Sequence, residues 1–335
     1  MSKRYAAVLV ALAIAVVMMF VARDRKRFFT SAGVVWTTEY HITYEASRNL
    51  DDSIQQIFNQ IDQSVSPYNK VSLITSLNNN ATHQVDAYIE RLLDASMAVH
   101  QESGGAFDPT VMPLVNAWGF GFKSGTMPTR AQIDSILRFV GLDKLRLDGN
   151  TLVKTDPRVM LDFSSIAKGM ACDEIGRMLD RNGVANWLVE IGGEVAARGM
   201  NKRGAAWTVS VDMPTIETDE VTHESALALS LDGGGVATSG NYRKWREQGG
   251  TKISHIIDPR TGESRVGTLL SVTVVAPDCM TADAWATACM VMGEDAVKKM
   301  MQPRNDLGVM TIVGDTVTGQ LVVWSNKAFA ERIVE

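Results

Sequence analysis

Apolar residues alternate with polar ones at Tyr40, Ile42 and Tyr44, which predicts a strand from Val34 to Tyr44. The period then changes: Leu50, Ile54, Ile57, Phe58, Ile61 and Val65 fall on one helical face, and so do Val85, Ile89, Leu92, Leu93 and Met97. Helices are therefore expected over 50–65 and 85–102, separated by a polar loop around Asn78 to Thr82. Thr129 and Gln132 form a capping-box pair that opens a helix running to Val140. Further on, a helix is expected over 165–181, then short strands over 187–191, 207–211, 226–231 and 269–275. A single long helix over 281–301 follows, and strands at 309–313 and 320–323 close as a hairpin around Gly314-Asp315. Strands and helices come in mixed order without a βαβ repeat, so the fold class is α+β, with one domain over residues 31–335.

The first 30 residues are a separate object. Tyr5 to Ala22 is uncharged and lies between Lys3-Arg4 and the basic group Arg23, Arg25, Lys26 and Arg27. A run of that length suffices for a transmembrane helix. A cleaved signal peptide is the competing reading, although no small-x-small site follows the run directly. Positive charge on both flanks leaves the positive-inside rule without a direction to choose.

Composition narrows the function classes. Hydrophobic residues are 45% and charged residues 21% of the 335, with a net charge of −5, which gives no support to a nucleic-acid partner. Cys172, Cys279 and Cys289 lack metal-site spacing and read as buried thiols.

Four segments carry candidate chemistry, and each has a plain structural reading beside it. Gly104-Gly105-Ala106-Phe107-Asp108-Pro109-Thr110 is either a helix cap with a turn or a loop holding a polar ligand edge. Asp162 to Asp173 opens a helix with small residues and Lys168, which suits either simple capping or a pyrophosphate on free N–H groups. Gly233 to Tyr242 is followed by His255-Ile256-Ile257-Asp258-Pro259-Arg260-Thr261-Gly262, where His255 is a satisfied side chain or a general base. On the last helix Asp283 and Thr287 are four apart on one face. There Asp283 is a first-turn acid favoured by the dipole, or half of an oxygen shell for Mg²⁺.

Taken together, GGAFDPTV, DFSSIAKGMACD, EIGGEV, VATSGNYRKW, HIIDPRTG and VAPDCMTADAWATA resemble the FAD:protein FMN transferase family, also called the ApbE family. The resemblance runs in order from about Val34 to the C-terminus. It implies a single T-fold-related domain that binds FAD as substrate, with Tyr68, Ala106, Phe107, Asp108, Asp162, Lys168 and Ile256 around the dinucleotide. It further implies magnesium at Ser165 (through its carbonyl), Asp283 and Thr287, and His255 in the transfer step. The sequence departs from the family at Val35-Trp36-Thr37, where relatives often have Met-Gly-Thr, at Ala286, where some have a second aspartate, and at Glu190 and Glu194, where Asn and Asp are commoner.

What the resemblance implies chemically is attack of an acceptor's Thr or Ser hydroxyl on the FMN-side phosphorus, with AMP leaving. Hydrolysis of FAD to FMN and AMP, and a non-catalytic FAD carrier, are the alternatives. The implied partner is a flavoprotein subunit of a membrane redox complex of the sodium- or proton-translocating NADH or ferredoxin oxidoreductase (Nqr/Rnf-like) type. That places the domain on the extracytoplasmic, periplasmic face of a bacterial inner membrane.

Overall fold

A computed structural model describes residues 26–121, 127–212, 225–241, 245–248, 251–265, 267–314 and 320–334. The run Tyr5 to Ala22 expected to span a membrane lies outside them; among the described residues no helix is long and apolar enough to do so.

Eight strands form the central sheet: β1 (Arg27–Val35), β2 (Thr38–Ala46), β3 (Trp187–Ile191), β4 (Glu194–Arg198), β5 (Gly233–Gly240), β6 (Leu269–Ala276), β7 (Gly308–Gly314) and β8 (Leu321–Ser325). Their order in the sheet is their order in the chain, and every neighbouring pair is antiparallel. A meander of this kind needs no crossover, so long insertions between strands can carry the helices. Five of these matter here: α1 (Asp51–Val65), α2 (Ala87–Glu102), α3 (Ala167–Arg181), α4 (Cys279–Met292) and α5 (Glu294–Met301).

Alternation sends each strand's side chains to two different cores. Ala196 and Ala237 join the helix-side core with Tyr40, Ile42 and Tyr44, whereas Val195, Ala197 and Val236 face the other way. That second face is covered by a small sheet of Trp207–Asp212, Ser225–Leu231 and Ile333–Val334. A third cluster around Leu114, Trp118, Ile133 and Ile253 joins the 111–140 insertion to the Trp245–Gln248/Thr251–Ser254 hairpin.

Several expectations need correction. The strand expected over 34–44 is the β1–β2 hairpin, turning at Trp36 (φ 49°) and Thr37 (φ 65°). Alternation continues across a tight hairpin, and no glycine marks this turn. Arg27 to Thr30, grouped on sequence with the leading segment, pair with β2. The helix expected from Val85 begins at Ala87, capped by Asp86, and the one expected to reach Val140 ends at Leu137. The long helix expected over 281–301 is two, α4 and α5, because Gly293 takes φ 81° between them. The Gly233 segment, singled out for candidate chemistry with no strand expected there, is an interior strand. A Cβ on Gly235 would run into the Cys279 backbone, so glycine is what lets α4 touch the sheet.

Candidate functional site

α3 starts without a side-chain cap of its own. Its orphan donors are met from elsewhere, and that need assembles the site. Gly169 donates its backbone N–H to Asp283 Oδ2 on α4 at 3.0 Å. In return Asp173 on α3 accepts from the Cys279 and Met280 N–H groups at 3.0 and 2.9 Å, alongside the cap from Asp278. The two helices run antiparallel and each supplies carboxylates for the other's free donors. Contact is close because residue 169 is glycine: a Cβ there would meet the Cys279 carbonyl.

Lys168, in this first turn, pairs with Glu194, the first residue of β4. The Gly192-Gly193 turn has both φ values positive (61° and 98°), so β3 reverses in two residues and Glu194 starts on the helix side. Burial raises the Glu194 carboxyl to about 8, with Lys168 pulling it down and Asp283 pushing it up. Burial raises Asp283 too, against the Lys168 charge and the Gly169 N–H. For Lys168 burial acts downward, but Glu194 and Asp283 outweigh it and the ammonium is held above its ordinary value. One cation thus stands between two buried carboxyl groups whose raised values favour the protonated form, so the charged Lys168 is not outweighed at the mouth of this helix N-terminus.

Thr287, one turn beyond Asp283, bonds Ser239 on β5 through its hydroxyl at 3.2 Å. Carboxylate, hydroxyl and the carbonyl of Ser165, just before α3, are hard oxygen donors of the kind magnesium takes. Among the described residues no group of three His, Cys, Asp or Glu forms a metal cage. The residues present fit a partial shell that a diphosphate and water would complete, since magnesium keeps several waters and substrate oxygens.

The remaining sequence candidates stand on other loops of the fold. Asp162 donates its N–H to Pro109 O at 2.7 Å, tying the α3 entry loop to the Gly104–Thr110 loop, and its carboxylate accepts from Ser164 N at 2.9 Å. Asp108 is buried and holds Thr110 and Leu142 N–H groups at 2.8 and 3.1 Å, while beside it His100, Gly105, Val140 and Arg260 line a cavity of about 320 Å³. Ala106 and Phe107 are each 1% exposed, so their side chains serve the core. Tyr68 is 77% exposed on the loop after α1. His255 is half-buried with its ring edge-on to Phe120 at 6.3 Å, and Ile256 beside it is buried with its N–H on Ser254 Oγ at 3.0 Å.

Sequence reasoning passed over Glu194 as a site residue and left Asp173 and Ser239 unassigned. The GG pair before Glu194 marks a hairpin, but only pairing with β3 and β5 decides which face the carboxylate takes.

Comparison with known proteins agrees with this fold. The model of the ApbE family matches residues 36–311. The chain is 34% identical to the FAD:protein FMN transferase of Haemophilus influenzae over 326 residues, covering 91% of this chain and 92% of that one. It is also 34% identical to that of Escherichia coli over 304 residues, covering 88% and 84%. Among solved structures, the flavinyl transferase ApbE of Pseudomonas stutzeri in its apo form superposes with a TM-score of 0.80 at 31% identity, covering 92% of this chain and 97% of the other. The flavin transferase ApbE of Vibrio cholerae gives 0.78 at 29%, covering 92% and 99%. By sequence along nearly its whole folded length and by architecture, the chain belongs to the ApbE family.

Proposed function

We propose that the chain is a magnesium-dependent FAD:protein FMN transferase that joins FMN through a phosphoester to a Thr or Ser hydroxyl of an acceptor flavoprotein and releases AMP. The observation that carries this reading is the meeting of Lys168, the first turn of α3 and Asp283, tied by the Gly169 N–H at 3.0 Å. A helix N-terminus with a lysine beside it is a seat for a diphosphate. Asp283, Thr287 and the Ser165 carbonyl are the residues that would hold magnesium there. When bound, the ion supplies positive charge to the diphosphate oxygens.

The residues divide the remaining work. Lys168 adds charge beside the same oxygens, held upright by Glu194. Tyr68 and Ile256, with the loops carrying Ala106, Phe107, Asp108 and Asp162, border the dinucleotide. His255 takes the acceptor hydroxyl's proton as its oxygen bonds the FMN-side phosphorus and the bond to the AMP phosphate breaks. The acceptor is a subunit of a membrane redox complex of Nqr/Rnf-like type, with this domain anchored on the periplasmic face of a bacterial inner membrane. The uncharged run Tyr5 to Ala22 supports the anchor, and the side of the membrane follows from the acceptor proposed.

Incubation with FAD, magnesium and a candidate acceptor tests the reaction. A mass gain of one FMN on the acceptor, dependent on magnesium, is the expected result. Free FMN with an unmodified acceptor makes the chain a pyrophosphatase instead, and intact bound FAD makes it a carrier.

A further inference from the structure

The strand register collects the cations of β1 to β4 at one end of the sheet. Arg27 stands opposite Ala46, Tyr44 opposite Trp187, Trp187 opposite Arg198, and Arg198 opposite Gly233. The C-terminus of α3 reaches the same end: Lys26 Nζ donates to Gly183 O at 3.2 Å, Arg48 to Asn182 Oδ1 at 2.9 Å, and Arg198 pairs with Asp180 at 2.9 Å. Lys26, Arg27, Arg48, Arg181, Arg198 and Lys202 are all exposed there. Two are steadied on aromatic rings, Arg27 over Phe29 at 4.7 Å and Lys202 near Phe28 at 5.9 Å. Of the carboxylates nearby, Asp180 pairs with Arg198 and Trp187 Nε1, and Glu45 accepts from Asn186 Nδ2 at 2.7 Å. Asp232, beside Arg198's partner Gly233, is exposed, and the cations still outnumber the acids here. In a chain of net charge −5 this basic end runs against the overall sign. Met200, just after β4, is 55% exposed beside these cations.

The chain enters the described structure at this end, with Lys26 fixed against Gly183. The uncharged run ends at Ala22, four positions earlier. We propose that this basic end of the sheet is the face that rests on a bilayer surface rich in anionic lipid, with Met200 reaching the headgroup boundary. The proposal builds on the reading of residues 5–22 as an anchor. Basic side chains next to a membrane-inserted segment are drawn to anionic headgroups, and an exposed apolar side chain among them adds burial. Orientation of the site follows. α3 carries Lys168 at its start and Arg181 at its end, and 13 residues of helix span about 20 Å. The Lys168–Asp283 centre then stands off the bilayer by roughly that height, so the acceptor must present its hydroxyl above the membrane plane rather than at it.

The test uses the full chain in lipid nanodiscs. The three native cysteines are buried, so a single introduced cysteine can be labelled with a fluorophore. Met200→Cys reports the proposed face, and Val34→Cys reports the far end of β1, about 24 Å along the strand. With a quencher on the lipid headgroups, Met200→Cys is expected to be quenched about threefold more than Val34→Cys in discs containing phosphatidylglycerol. The contrast should shrink in pure phosphatidylcholine and after Lys202→Glu with Arg48→Glu. Equal quenching, or stronger quenching at Val34→Cys, overturns the face. Flotation of the unmodified chain separates this from the anchor reading. Flotation on phosphatidylcholine vesicles with equal quenching keeps the anchor and removes the face. Flotation on phosphatidylglycerol vesicles alone removes the anchor and keeps the face, and flotation on neither removes both.

Discussion

Asp283 caps a helix that is not its own: its Oδ2 accepts the Gly169 N–H of α3 at 3.0 Å while its side chain belongs to α4. A carboxylate in that place does two jobs that substitution can separate. Asp283→Asn keeps an amide oxygen for Gly169 and loses the charge, so the fold should stay within about 1 kcal/mol of the parent. Magnesium-dependent transfer should fall by on the order of 10²-fold or more, as for removal of a preorganised charge. Asp283→Ala should lose the cap as well. Full-rate flavinylation by a well-folded Asp283→Asn protein would remove the metal assignment.

Gly169→Ala probes the same joint sterically. Its Cβ would press on the Cys279 carbonyl, which is backbone and cannot swing aside. A destabilisation of about 2–3 kcal/mol is expected in denaturant melts, from overpacking between α3 and α4. An unchanged midpoint would show that the helices can part without cost.

Glu194→Gln leaves the Lys168 ammonium beside a neutral amide and Asp283. With its carboxyl raised to about 8, Glu194 is largely protonated at neutral pH and Gln resembles that form, so the cost there should be only about 1 kcal/mol. FAD affinity should also weaken, because the lysine loses the group that orients it. Isothermal titration on the folded variant decides between a weaker site and an unaltered one.

His255→Ala should keep FAD binding and lose transfer by roughly 10²–10⁴-fold, the usual contribution of a positioned base. Loss of binding in place of rate would make the ring a ligand contact, which single-turnover and equilibrium measurements distinguish.

Asp173 sets a pH dependence of stability. Burial pushes its carboxyl from 3.8 up to about 6, with the Met280 and Cys279 N–H groups pulling the other way. Between those two pH values the folded chain binds more protons than the unfolded one, so this group's stabilising contribution is full below 3.8 and is lost as pH rises through about 6. Relative to Asp173→Asn, the parent should lose ~3 kcal/mol across that window. Parallel pH–stability curves for the two proteins would contradict it.

The β1–β2 turn illustrates the limit of what is legible in the sequence. Trp36 and Thr37 occupy left-handed backbone without glycine, so local turn chemistry gave no sign of them, and Trp36 stays because its ring packs edge-on to Phe58 at 5.6 Å. The Thr129–Gln132 capping box, by contrast, is found where the spacing put it, since both halves of that motif are local. The Asp283/Thr287 face was readable from a spacing of four, yet nothing in that spacing says that Asp283 reaches Gly169, 114 positions away.

By itself the sequence determined the apolar faces of α1 and α2, the positions of α3 and of several strands, and the ordered motifs that mark the family, because periodicity and turn chemistry are properties of neighbours along the chain. Tertiary structure alone decided that Glu194 faces Lys168, that the Gly233–Gly240 segment is an interior strand, that α3 and α4 cap each other, and that the cations of β1 to β4 share one end. Each of those depends on strand register or on an unsatisfied backbone donor finding a distant partner, and hydrogen-bond demand in a buried joint is settled only when the segments meet.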